Sequence, residues 1–92
     1  MFTTPNKESV YILGEKITIE LDDNRCDNEE ADGLYNGNSI TLRTSYPSRE
    51  EYRRVYAHEC FHALCDLLGC QLDHHLEEVL AHRISTMIVY EI

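Results

Sequence analysis

His58-Glu59-Cys60-Phe61-His62 is the stretch of this chain whose residue types name a chemistry. Two histidines four apart stand one above the other on a helix face. Both imidazoles can then reach one metal ion, with a carboxylate beside them. A catalytic zinc takes three protein ligands and keeps an open position. It lowers the pKa of a water towards neutral, and a neighbouring carboxylate takes the proton as that water attacks a carbonyl. The residue types therefore assign His58 and His62 to Zn2+ and Glu59 to general-base catalysis, with the proton passed on to a leaving amine. Cys60 lies on another face of the helix and is expected to pack.

The third ligand must come from elsewhere. The extended form of the motif, with a glycine and a third histidine further along the same helix, is absent, because Cys65 and Leu68 stand at those positions. Glu77 and Glu78 follow in the next predicted helix. On a helical wheel of about 100° per residue starting at Leu76, the apolar stripe Leu76, Leu80, Ile84, Met87 and Ile88 centres near about 50°. Glu77 falls at about 100° and Glu78 at about 200° on the same wheel, so Glu77 is the preferred inward carboxylate and Glu78 the alternative. Asp73, His74 and His75 sit at the linker and are weaker candidates, and His82 is expected to be exposed. An oxyanion donor is needed too. His74, His75, His82, Tyr35, Tyr56 and Tyr90 are the candidates, and the sequence does not choose among them.

These residues need a scaffold. Residues 16–21 alternate, with Ile17, Ile19 and Leu21 on one face, and read as a half-buried strand. Residues 10–13 form a short apolar run before Gly14. Residues 22–33 are acidic and turn-rich and read as a loop. Asn36-Gly37-Asn38 has the residue types of a hairpin turn, followed by a strand over 39–44. Ser48 and Glu51 have capping-box spacing and open a helix that runs to Gly69 with the histidine motif in its middle. A second helix starts near Asp73 and runs towards Tyr90. The fold class is α+β, a small antiparallel sheet of about three strands followed by two helices, and residues 1–9 are expected to be loose.

Composition bounds the rest. Ninety-two residues make one domain, residues 1–92. A formal charge of −9 argues against nucleic acid or an anionic membrane as a general partner. No run approaches a membrane span, and no signal peptide is expected at the start. Cys26, Cys60, Cys65 and Cys70 lack metal-site spacing and read as reduced thiols, which points to the cytoplasm.

Tyr56-Ala57-His58-Glu59-Cys60-Phe61-His62-Ala63-Leu64, then Leu76-Glu77-Glu78-Val79-Leu80-Ala81, resembles the minimal gluzincin metallopeptidases, including the small ImmA/IrrE-like proteins of bacteriophage and mobile elements. The strand pattern of residues 14–21 and 33–42 is similar to theirs as well. The resemblance covers most of residues 14–90 and is specific around the two histidines. It implies a zincin-like minimal domain holding zinc through two histidines and a glutamate, with the motif glutamate as general base. Those roles carry to His58, His62, Glu77 (or Glu78) and Glu59. It also implies a protein or peptide substrate added as a strand to the sheet edge, and for a phage-encoded protein the host cytoplasm. The chain departs from the family in a shorter spacing to the third glutamate. Ala81 also stands where an acidic residue can follow the ligand by four. SprT-like proteases share a His-Glu-x-Cys-His segment, but their later histidine motif is missing here.

The rival reading is a non-catalytic interaction module on the same scaffold, stabilised by zinc. Such a site would be closed by a fourth protein ligand such as Cys70, His74 or His75.

Overall fold

The computed structural model describes residues 1–69 and 73–91, with His74 and residues 86–91 described by backbone alone. Among the described residues nine elements follow one another: β1 (Phe2–Thr3), β2 (Ser9–Ile12), β3 (Glu15–Leu21), α1 (Asp23–Asn28), β4 (Gly33–Tyr35), β5 (Ser39–Leu42), β6 (Ser45–Tyr46), α2 (Arg49–Leu67) and α3 (His74–Glu91). The fold is α+β. Among the described residues no helix is long and apolar enough to cross a membrane.

The main sheet has the order β2-β3-β5-β4. β2 and β3 form a hairpin in which Ile12 faces Glu15, so Leu13 and Gly14 make a two-residue turn. Both adopt positive φ, 51° and 80°, as a hairpin turn matched to strand twist requires. Asn36-Gly37-Asn38 closes the β4–β5 hairpin, as its residue types predict.

The sheet is mixed, which corrects the expectation of three antiparallel strands. β4 runs opposite to β3, but α1 carries the chain one strand further out. β5 then enters the gap, antiparallel to β4 and parallel to β3. Residues 22–33, read as a loop, contain α1. Asp22 caps it by accepting from the Arg25 N–H at 3.1 Å, and Cys26 is its one buried side chain. A six-residue helix with a single inward residue leaves no apolar period to detect. The N-terminal segment, expected to be loose, is tied down as well. β1 pairs with β6 in a second, two-stranded sheet, and buried Thr4 donates to the carbonyls of Thr44 and Arg43.

All four residues of β5 are buried, as befits a central strand covered on both faces. Ile17, Ile19, Ile40 and Leu42 from the sheet pack with Tyr46, Tyr52 and Val55 into one core. Burying each such aliphatic side chain contributes about 1.5–3 kcal/mol. This core fixes α2 across the sheet. Ser48 caps α2 by accepting from the Glu51 N–H at 3.1 Å, and the helix ends at Leu67, just before Gly69. Glu51 does not return the bond in a capping box; its carboxylate pairs with Arg54 instead.

α3 packs on α2. Among its described side chains the buried ones are Ala81 and Ser85, both 0% exposed, whereas Leu76 is 44% exposed and Val79 37%. The face against α2 is therefore lined by small residues, which allow close approach, and not by the apolar stripe through Leu76. Leu80 and Ile84 are half-buried beside it. Met87 and Ile88, also assigned to that stripe, lie outside the described side chains.

Candidate metal centre

α2 places His58 and His62 one turn apart, with ring centroids 4.9 Å apart. Glu78 reaches across from α3. Its Oε2 is 3.3 Å from His58 Nε2 and its Oε1 is 3.1 Å from His62 Nε2. One donor atom from each of the three residues lies within 4.8 Å of the others, so the group can hold a metal ion. In a tetrahedral site with bonds of about 2.0–2.1 Å, neighbouring donors are about 3.3–3.4 Å apart. The two His–Glu78 separations, one to each carboxylate oxygen, are close to that spacing, and the donor set of two imidazoles and one carboxylate suits a transition metal.

Glu77, the preferred ligand on the wheel, stands elsewhere. Its Oε1 is 2.6 Å from His62 Nδ1, on the other side of the ring. The apolar stripe does not mark the inward face of α3, which is set by Ala81 and Ser85, at about 140° and 180° on the same scale, next to Glu78. In the neutral ring a carboxylate facing Nδ1 favours the tautomer with the proton on Nδ1, which leaves the Nε2 lone pair for the site. The His58 pKa is lowered, first by burial and then by the neighbouring His62, which favours the neutral imidazole that ligates metals.

Glu59 is buried, 7% exposed, on the same stretch of α2. Burial pushes its pKa up to about 7; His62 opposes the shift and Glu78 adds to it. A carboxylate poised near neutrality in a cleft is suited to accept and release a proton. Gly33 of β4 backs onto it. A Cβ there would stand 2.7 Å from Val55 Cγ1 and 3.2 Å from Glu59 Cγ, so only glycine lets the strand approach so closely. No sequence signal pointed to Gly33.

These groups line one cleft of about 740 Å³ between α2, α3 and β4. β4 is an edge strand beside the cleft, and among the described residues no strand pairs with its outer side. Of the oxyanion candidates, Tyr35 lines the cleft. Its hydroxyl is 2.7 Å from both Asp66 Oδ2 and the Gly37 carbonyl oxygen. Burial and then Asp66 push its pKa up to about 12, so it stays a neutral phenol. His75 and His82 are exposed, as expected for His82, and Tyr56 lines a different recess. The side chains of His74 and Tyr90 lie outside the described residues, as does Cys70.

Cys60 is half-buried against the core, and burial pushes its thiol up to about 11. It is protonated at neutral pH and no nucleophile. Cys26, Cys60 and Cys65 form no disulfide among the described residues.

No protein-family model, curated protein or solved structure matches this chain.

Proposed function

We propose that this protein is a small zinc-dependent metallopeptidase of the gluzincin type that hydrolyses a peptide bond in a protein substrate. The observation that carries the reading is the convergence of His58, His62 and Glu78 on one point, with buried Glu59 beside them in an open cleft. His58 Nε2, His62 Nε2 and the Glu78 carboxylate would hold the ion, and Glu77 orients His62 from behind. Bound there, zinc supplies a Lewis-acid charge that brings the pKa of a water towards about 7.

The chain's own residues do the rest. Glu59 would take the proton from the attacking water and deliver it to the leaving amine, from a buried position beside the three ligands. The free edge of β4 offers backbone groups to an extended peptide, which is held as an added strand with its carbonyl carbon over the site. Tyr35, a neutral phenol lining the cleft, would be the donor to the substrate carbonyl oxygen, after giving up its bonds to Asp66 and Gly37. The resemblance to the ImmA/IrrE-like proteins supports a phage or mobile-element source and action in the host cytoplasm. The test is the Glu59→Gln variant. It keeps its zinc and loses hydrolysis if the site is catalytic, whereas a zinc-stabilised interaction module would be indifferent to the change.

A further inference from the structure

α2 carries a second recess, on the side away from the cleft. At about 100° per residue, Arg49 and Arg53 point nearly opposite to His58 and His62, and the two recesses share no lining residue. The second has a volume of about 360 Å³. Lys7, Arg49 and Arg53 supply its charge and Phe2, Tyr52 and Tyr56 its aromatic wall.

The charge distribution here is unlike the rest of the molecule. The chain has 8 Lys and Arg against 17 Asp and Glu. Three of the cations and none of the carboxylates line this recess. Arg43 and Arg54 are each ion-paired, but among the described residues none of these three is. Arg49 and Arg53 are like charges one helical turn apart, which is repulsive. Arg49 also opens α2, where the helix dipole disfavours a cation. Lys7 adds a third positive charge, with its Nζ 5.3 Å from the centroid of the Tyr56 ring. The free protein therefore holds three mutually repelling cations around one cavity, and an anion relieves that repulsion.

The wall defines the rest of the ligand. Phe2, Tyr52 and Tyr56 form a continuous ring cluster, with centroids 5.2 and 5.8 Å apart along the chain of contacts. It offers flat apolar surface beside the charge. Two guanidinium forks match phosphate oxygens in bidentate fashion, and three cations suit a dianion better than a single carboxylate. The volume lies at the small end of ligand pockets, which is right for one ring and one phosphate.

We propose that this recess binds a phosphate monoester that carries an aromatic ring, with the phosphate on Lys7, Arg49 and Arg53 and the aromatic body against Phe2 and Tyr56. That chemistry is carried both by free mononucleotides and by phosphotyrosine side chains.

The test is an amide-resolved NMR titration of the full chain with phenyl phosphate, inorganic phosphate, phenol, AMP and N-acetyl-phosphotyrosine amide. Phenyl phosphate is expected to shift the amides of Lys7, Arg53 and Tyr56 in a saturable, salt-weakened manner, with phenol silent and inorganic phosphate weaker. The Arg49→Gln/Arg53→Gln variant, its fold verified by its own spectrum, binds at least about ten-fold more weakly, as expected for the loss of two charge-assisted contacts. Lys16→Gln/Arg83→Gln makes the same charge change elsewhere and leaves binding intact. Tighter binding of AMP assigns the site to a free mononucleotide, and tighter binding of the phosphotyrosine amide assigns it to a modified protein. Equal affinity for inorganic and phenyl phosphate, shifts confined to His58, His62 and Glu78, or unchanged binding by the Arg49/Arg53 variant would each overturn the proposal.

Discussion

Glu77 Oε1 lies 2.6 Å from His62 Nδ1, while Glu78 Oε1 lies 3.1 Å from Nε2 of the same ring. Two consecutive carboxylates thus grip one imidazole from both sides and serve different purposes. Glu78 lies with His58 and His62 in the group that could hold a metal ion, whereas Glu77 contacts only the far side of the His62 ring.

Substitution of the two should separate these roles. Glu78→Ala removes a ligand and is expected to abolish tight zinc binding. Glu77→Ala leaves three donors but frees the His62 ring, and is expected to weaken zinc about 10–100-fold. Competition with a chromophoric chelator measures both. The wheel centred on the apolar stripe predicts the reverse order, so the experiment decides between the two assignments.

Gly33 holds β4 against the base. A methyl group there would meet Val55 Cγ1 at 2.7 Å and Glu59 Cγ at 3.2 Å, and Val55 belongs to the core and cannot yield. Gly33→Ala is expected to cost about 1–3 kcal/mol in stability, measured by urea denaturation. It should also depress hydrolysis by displacing Glu59. Pairing it with Val55→Ala makes room for the methyl group and should recover much of both losses. A double variant no better than the single one would mean that this contact does not set the position of Glu59.

The pH dependence of the metal-free protein follows from Glu59. Its pKa is raised from 4.5 to about 7, chiefly by burial, so the folded state keeps a proton that the unfolded chain releases between those values. The stability contributed by this group is full below pH 4.5 and is lost as the pH rises through about 7. Glu59→Gln, permanently neutral, should melt with the wild type at pH 4 and above it at pH 8, by on the order of 5 °C. Equal melting temperatures at both pH values would show that Glu59 is not desolvated in the fold.

How far these features could be read from the residues depends on how local their causes are. The span of α2, its Ser48 cap, the Asn36-Gly37-Asn38 turn and the pairing of His58 with His62 on one face all follow from short-range spacing, and the structure has them. The insertion of β5 between β3 and β4 is a long-range event with no local signature, and α1 has one inward residue. The choice between Glu77 and Glu78 depended on which face of α3 meets α2. That face is set by small residues, Ala81 and Ser85, whereas a hydrophobicity pattern gives most weight to large ones. Gly33 was invisible because a strand glycine reads as a turn until its neighbour across the cleft is known.

The proposed hydrolysis requires Glu59 to act as a base beside a bound metal. The most direct measurement compares zinc-loaded wild type with zinc-loaded Glu59→Gln on a proteome-derived peptide library, reading cleavage by mass spectrometry and zinc by elemental analysis. Equal zinc in both proteins, with cleavage by the wild type and a loss of at least about 100-fold in the variant, is the predicted result. Cleavage that persists undiminished in Glu59→Gln, or a wild type that neither binds zinc nor cleaves, would contradict it.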